Sequence, residues 1–199
     1  MLGTDYFVKV RVQIDSNIAS ITCREIVHHI SGEILLAMWD KDEQIVQTKI
    51  GYISSFRAFG SNLSAIRVWS DSGDQDLYEA FNWLLEEKFF PTTDLMIDEV
   101  LCDSPILLDR VFIEPEWRSH GFALPAVATF LDLLRAVFVF LIPAPFDKTL
   151  SEEERTRQRK LLCRYWRRLG FVNYDSQKNV LWTERWECPE WLRGNDRPD

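Results

Sequence analysis

Hydrophobic and polar positions alternate with period two in the first part of the chain, a pattern typical of β-strands. The alternation is clearest from Phe7 to Ile14, and two further strand-like runs follow at 33–39 and 48–59. Residues 16–30 fit a strand and a helix equally well. The first part of the chain is therefore predicted to consist mainly of strands.

From residue 74 onward, segments with helical spacing alternate with short apolar runs. Helices are predicted at 74–90, 123–135 and 151–169, and strands at 95–101, 106–113, 137–142, 171–174 and 180–186, the last two forming a hairpin. The third helix has the strongest signal, because Ser151 and Glu154 have the spacing of a capping box and Gly170 follows its end. Strands alternating with helices favour an α/β (α+β) fold with parallel central strands.

Length and composition are consistent with one folded domain. The chain has 199 residues, of which 46% are hydrophobic and 27% charged, enough for a full-sized core. We assign residues 1–187 to a single domain and residues 188–199 to a polar tail.

The net charge and the hydropathy pattern argue against binding of the chain as a whole to nucleic acid or to a membrane. The chain carries 23 Lys and Arg against 31 Asp and Glu, a net charge of −8, so as a whole it is repelled by nucleic acid and anionic lipid. Its most apolar stretch, 136–146, is about half a bilayer span and contains two prolines, which favours a core strand and no membrane segment. Binding to RNA would need a local basic patch, and the helix at 155–168 supplies seven cations.

The cysteines and histidines predict neither a metal site nor a disulfide framework. The four cysteines are widely spaced with no Cys-x-x-Cys pair, and the three histidines lack ligand spacing. Residues 1–20 lack the apolar run of a signal peptide. These features predict free thiols in a reducing compartment and a cytoplasmic protein.

The segment 107–123 is the most informative for chemistry. It reads as a strand, a turn containing Pro115, a short loop with Gly121 and the start of a helix. Main-chain N–H groups at such a junction have no partner within the helix, and the helix dipole adds positive charge, so the loop can hold a phosphate group. Arg118 adds a cation beside it.

These residues, together with a second motif, resemble a known enzyme family. Ile113-x-Pro-Glu-x-Arg118-x-x-Gly121-x-Ala123 after a strand, followed about 45 residues later by the segment Tyr165-Trp-Arg-Arg-Leu-Gly-Phe171, resembles the GNAT superfamily of N-acyltransferases. The resemblance covers residues 95–186, whereas residues 1–94 match only as generic strands and a helix. Pro143-x-Pro145 after a strand is similar to a poorly characterised bacterial branch of the family.

The resemblance implies a fold and a co-substrate. It implies a single domain with a mixed sheet of six or seven strands, flanked by helices, in which two parallel central strands splay apart. It implies acetyl-CoA as donor, with its arm pairing with the strand and its diphosphate held by the loop amides. The residues assigned to this binding are Val111, Phe112, Ile113, Arg118, Ser119, His120, Gly121, Phe122 and Ala123.

The residues at the expected catalytic positions differ in part from the family pattern. An amine would attack the thioester directly, with its oxyanion held by an N–H near Phe112 or Ile113. Asp109 is the candidate general base, because simple alternation along the strand places it on the same face as Leu107, Val111 and Ile113. Asp98 and Glu99, on the preceding strand, are the second choices for this role. The family's thiol-protonating tyrosine falls at Trp166 here, and Tyr165 is its neighbour.

Three functions follow for the structure to test. The first is transfer of an acetyl group from acetyl-CoA to a primary amine on a small molecule or protein. The second is a non-catalytic member of the same fold that binds CoA or a protein partner, motivated by Trp166 and by Leu107, which stands where relatives carry a glutamate. The third is transfer to an amine on RNA, motivated by the basic helix. A homodimer is among the assemblies that the sequence allows.

Overall fold

The computed structural model describes residues 6–15, 27–39, 44–58, 75–85, 104–147 and 149–193. The strand predicted at 95–101, with Asp98 and Glu99, lies outside these ranges, as does most of the ambiguous segment 16–30. The strands are β1 (Tyr6–Asp15), β2 (Val27–Trp39), β3 (Ile45–Ala58), β4 (Ile106–Ile113), β5 (Val139–Leu141), β6 (Asn173–Asp175) and β7 (Val180–Thr183). The helices are α1 (Gln75–Leu85), α2 (Ala123–Leu133) and α3 (Glu152–Arg167).

All seven strands form one mixed sheet in the order β1-β2-β3-β4-β5-β7-β6. Among the described strands, β4 and β5 are the only parallel neighbours, and the other pairs are antiparallel. The predicted mixed α/β sheet of six or seven strands with a central parallel pair is confirmed. β5 is shorter than the predicted 137–142.

The helices cover the two faces of the sheet unequally. On one face, α2 packs over Ile53, Ile106 and Leu108, and the end of α3 joins the same apolar cluster. On the other face, α1 packs over Leu107 and Phe140 with Phe81 and Trp83. Strands β1 to β4 extend beyond that second cluster, and their polar residues line an open groove.

α3 begins where its capping box predicts. The Ser151 hydroxyl accepts a hydrogen bond from the Glu154 N–H at 3.3 Å, and the Glu154 carboxylate accepts one from the Ser151 N–H at the same distance. Gly170 follows the helix with a φ of +89°, a conformation that glycine adopts without strain. The helix and its ends are therefore fixed by local sequence.

The polar tail predicted from residue 188 starts later than expected. Glu190–Leu192 forms a short 3₁₀ turn, and the Trp191 indole donates to the Arg168 carbonyl at 3.1 Å. The Arg168 guanidinium lies 4.9 Å from the Trp191 ring centroid, and Leu192 packs against the core. The apolar groups of this turn bind it to the end of α3, which corrects the prediction for residues 188–193.

β4 carries one residue more than its partner strand, which forms a β-bulge. The prediction that Asp109 lies on the same face as Val111 and Ile113 is therefore wrong. Arg110 pairs with Ser54 and Leu108 pairs with Ser55, so Asp109 has no opposite residue in β3. A bulge shifts every later side chain to the opposite face relative to simple alternation. Leu107 accordingly lies in the cluster under α1, whereas Val111 and Ile113 face α2.

We predict that Gly51→Ala destabilises the sheet where β3 meets the end of β4. A methyl group at Gly51 would lie 2.1 Å from the Phe112 carbonyl oxygen, so the two strands would have to move apart. Overpacking of this kind costs about 1 to 3 kcal/mol, and each kcal/mol lowers Tm by about 2 to 4 °C in a domain of this size. Thermal unfolding measures the change, with the exposed Gln47→Ala in the same strand as control. Equal Tm values for the two variants would contradict the close approach.

Candidate active site

The loop between β4 and α2 presents a run of main-chain donors. Ser119 and Gly121 both have positive φ, 64° and 82°, which turns successive N–H groups toward a common side. Within the described part of the chain, the N–H groups of residues 119–123 have no protein partner, and the first main-chain bond of α2 runs from Ala126 to Phe122. A Cβ placed on Gly121 would have no neighbour within 4 Å. The loop therefore has donors without a protein partner among the described residues, and open space beside Gly121.

Arg118 is placed differently from the other loop residues. Its own N–H donates to the Pro115 carbonyl at 3.3 Å, so it is not one of the available amides. Its Nε donates to the Ile113 carbonyl at 2.9 Å, and its guanidinium lies 5.3 Å from the Phe112 ring centroid. Arg118 therefore fastens the loop to the end of β4.

Aromatic packing holds the loop in this shape. Phe122 is buried, and its ring stacks on His120 at 5.6 Å and meets Tyr6 edge-on at 5.6 Å. The His120 ring donates from Nδ1 to the Arg118 carbonyl at 2.8 Å. Trp117 lies 6.4 Å from both the His120 and the Phe122 ring. The side chains of His120 and Phe122 thus shape the loop, while their amides stay available.

β4 and β5 pair only at their first residues. Ile106 is opposite Val139 and Leu107 is opposite Phe140, and no pairing continues beyond them between the two described strands. From that point one edge of β4 has no strand partner among the described strands, and we call the place beside this edge the gap. A peptide-like chain could pair with this edge as an added strand does.

Alternation along β4 decides which main-chain groups face the gap. The Glu114 N–H donates to the Ile50 carbonyl at 2.9 Å, and Phe112 lies opposite Tyr52, so the N–H and C=O of Phe112 face β3. Val111 and Ile113 therefore direct theirs to the gap, although the Ile113 carbonyl is bound by Arg118. This corrects the assignment of Phe112 as a main-chain partner of the co-substrate; its ring instead packs on Tyr52 and Arg118.

Asp109 belongs to a hydrogen-bonded chain that the sequence did not reveal. The Ser54 hydroxyl donates to Asp109 Oδ2 at 3.1 Å, and His29 Nε2 lies 3.1 Å from Ser54 Oγ. Because the Ser54 proton is directed at the carboxylate, its oxygen accepts from His29 Nε2–H. All three side chains are half-buried. The period-two pattern of β2 and β3 places His29 and Ser54 on one face, but only the strand register brings them to Asp109.

Tyr165 and Trp166 lie at the end of α3, on the other face of the sheet from Asp109. Both pack against the cluster under α2, with their rings 5.2 Å apart. Burial raises the pKa of the Tyr165 phenol, and the charge of Arg168 opposes this in part. The structure brings Asp109 together with Ser54 and His29, and it brings Tyr165 together with Trp166, but it places the two groups on different faces.

The open part of the second face forms a polar groove of about 390 Å³. All four strands from β1 to β4 contribute to its lining, which includes Arg11, His29, Glu33, Lys49, Ser54 and Arg110. Lys49 Nζ and Arg11 Nη1 lie 2.9 and 3.0 Å from the Glu33 carboxylate. The groove is therefore polar, contains more cations than carboxylates, and lies beside Asp109.

The cations of the basic helix are largely used within the protein. Arg155 and Arg159 each lie 3.5 Å from Glu152. The Arg167 guanidinium lies 5.9 Å from the Tyr174 ring centroid, and Arg168 lies over Trp191. Four of the seven cations thus have a partner in the fold, which leaves a smaller surface for RNA than the sequence indicates.

The described residues offer neither a metal centre nor a membrane-spanning helix. No cluster of three or more His, Cys, Asp or Glu side chains in those ranges has the arrangement of a metal site. No described helix has both the length and the apolar content needed to cross a membrane.

Comparison with known proteins gives structural neighbours only. No protein-family model matches the chain, and no curated protein matches it in sequence. A tyrosine-to-phenylalanine mutant of KacT is 12% identical with a TM-score of 0.37, over 92% of this chain and 97% of that one. A similar mutant of the AtaT toxin, bound to the C-terminus of the antitoxin AtaR, is 12% identical with a TM-score of 0.37, over 92% and 96%.

A third neighbour, AtaTR bound with acetyl-CoA, is 11% identical with a TM-score of 0.35, over 92% of this chain and 96% of that chain. At TM-scores this low, overall likeness alone decides neither the chemistry nor the substrate of this chain.

We predict that Glu33 stays ionised to lower pH than an ordinary glutamate. Hydrogen bonding and charge from Lys49, and then from Arg11, lower the pKa of the Glu33 carboxyl. The Lys49→Gln variant should therefore raise this pKa toward its ordinary value, and 1 M salt should raise it in the wild type because both pairs are exposed. A ¹³C NMR titration of the carboxyl carbon measures it, with Lys160→Gln on α3 as control. A pKa that is the same in all three proteins would contradict the ion-pair geometry.

Proposed function

We propose that the chain is an acyl-CoA-dependent N-acyltransferase that transfers an acetyl group from acetyl-CoA to a primary amine by direct attack. The observation that carries the proposal is the run of five unpartnered amides at residues 119–123, next to the edge of β4 that faces the gap. A diphosphate needs several converging N–H donors at a helix N-terminus, and a pantetheine arm needs a free strand edge. This chain has both within one segment.

The binding residues follow from that geometry. The amides of Ser119, His120, Gly121, Phe122 and Ala123 hold the diphosphate, and the terminal nitrogens of Arg118 add charge beside it. The main-chain groups of Val111 and the N–H of Ile113 pair with the arm, which brings the thioester to the gap at the middle of β4. The Ile113 or Val111 N–H is then the donor that stabilises the oxyanion.

The chemistry requires removal of a proton before or during attack. The amine nitrogen bonds to the acetyl carbon, the carbon–sulfur bond breaks, and CoA leaves as a thiolate. Asp109 accepts the proton from the substrate ammonium and releases it to solvent in the groove, while the Ser54 hydroxyl, which itself accepts from His29, donates to the carboxylate and positions it. The nitrogen loses a second proton as the amide forms and the thiolate takes up one proton, so one proton is released overall. Tyr165 is the candidate donor to the thiolate, with the second amine proton restoring its phenol, and solvent is the alternative donor.

We expect Gly121→Ala to weaken acetyl-CoA binding at least tenfold with only a small loss of stability. The new methyl enters the open space beside Gly121, where we expect it to crowd a diphosphate held by the amides, and loss of one or two charge-assisted hydrogen bonds costs about 1.5 to 3 kcal/mol. Gly170→Ala is the matched control, because its φ of +89° imposes the same backbone strain away from the loop. Isothermal titration calorimetry with acetyl-CoA compares the two variants. Equal affinities would place the diphosphate elsewhere, and absence of wild-type binding would remove the proposed enzyme.

Asp109→Asn should lower kcat by about 100-fold or more and remove the acid limb of its pH profile, because a general base contributes about 10² to 10⁴. Ser54→Ala should lower kcat less and leave KM for acetyl-CoA unchanged. Release of CoA thiol with an amine panel measures both, with Glu184→Gln as control. Full activity of Asp109→Asn would dismiss this base. CoA binding without thiol release for any amine would favour the non-catalytic alternative.

A further inference from the structure

The groove beside Asp109 contains a cation that has no carboxylate partner among the described residues. Arg11 and Lys49 share the carboxylate of Glu33, so their charges are largely compensated. Arg110 has no ion pair or side-chain hydrogen bond to any residue in the described ranges; its guanidinium lies 5.9 Å from the Phe146 ring. This exposed guanidinium lines the groove and is available to an anion.

The bulge in β4 brings Arg110 and Asp109 to the same face. Neighbouring residues of a regular strand point to opposite faces, but the extra residue removes that alternation. Arg110 pairs with Ser54 in the register, and the Ser54 hydroxyl binds Asp109, so both charges lie against one β3 residue. Two consecutive residues thus bring a carboxylate and a guanidinium to the same face, one for an ammonium and one for an anion.

We propose that this groove is the acceptor site and that it selects a small amine carrying a carboxylate or phosphate within a few bonds of its nitrogen. The ammonium lies at Asp109 and the anionic group at Arg110, whose planar guanidinium binds either anion through two hydrogen bonds. A volume of about 390 Å³ is at the small end of ligand pockets and suits a metabolite-sized molecule. The acetylation of this amine rests on the proposed acetyl transfer, whereas binding of the amine in the groove does not.

The same geometry disfavours the other acceptor classes. A lysine side chain or a plain alkylamine offers the ammonium without an anion at this short distance, so it leaves Arg110 without a partner. An RNA-linked amine would need a continuous basic surface, whereas the groove cations Arg11 and Lys49 are already bound to Glu33.

Matched pairs of amines test the proposal with the full chain. Alanine is compared with alaninamide, and 2-aminoethyl phosphate with ethanolamine, so that each pair differs in the anion. Calorimetry without acetyl-CoA measures direct binding, and CoA thiol release measures kcat/KM. We expect the anionic member of at least one pair to be favoured tenfold or more, and the pair with the larger ratio identifies carboxylate or phosphate.

Variants at Arg110 separate selectivity from folding. Arg110→Gln should abolish the preference by raising KM for the anionic amine alone, Arg110→Lys should restore part of it, and Arg185→Gln, exposed after β7, should leave it intact. Equal use of both members of each pair, an equal effect of Arg110→Gln on both, or no binding of either anionic amine at about 10 mM would overturn the proposal. Acetyl-CoA binding is measured separately, so failure of the proposed enzyme is distinguished from failure of this acceptor site.

Discussion

The candidate site depends on how β4 pairs with the two strands beside it. This strand must pair with β3 along most of its length and with β5 at its start, but it separates from β5 after Leu107 and Phe140. The extra residue at Asp109 falls just beyond that point, and bulges increase the local twist and bend of a strand. Separation leaves main-chain groups of Val111 and Ile113 without a strand partner, which is costly in a folded protein unless water or a ligand satisfies them. The candidate site lies where the sheet leaves this edge open.

The two faces of the sheet divide the chemistry. On the face under α2, apolar packing of Phe122 and Trp117 fixes the loop so that its amides remain available to an anion. On the opposite face, α1 packs over Leu107 and Phe140, and polar residues of β1 to β4 line the groove. β4 connects the two, because its main chain faces the gap and its bulged residues face the groove. A donor held on one side and an acceptor held on the other would meet at the bulge.

Several elements of this architecture could be predicted from sequence, because short sequence patterns specify them. Period-two alternation identified β1, a capping box identified the start of α3, and the combination of Pro115, Gly121 and Ala123 located the loop. The parity of Asp109 could not be predicted, because a bulge without glycine leaves no mark in the hydrophobic pattern. The partnership of Asp109 with Ser54 and His29 depends on the register of three strands, which alternation alone does not specify. The resemblance assigns Arg118 and Phe112 to binding together with their neighbours. Only the observed hydrogen bonds show that their main-chain N–H groups already have partners within the protein.

The central claim is that CoA lies along the open edge of β4 with its diphosphate on the loop amides. Titration of ¹⁵N-labelled protein with CoA, followed by amide chemical shifts, tests it directly. The account predicts that the largest shifts fall on the amides of residues 119–123, with Val111 and Ile113 next and Phe112 little changed. Shifts centred on α3, or none at saturating CoA, would contradict it.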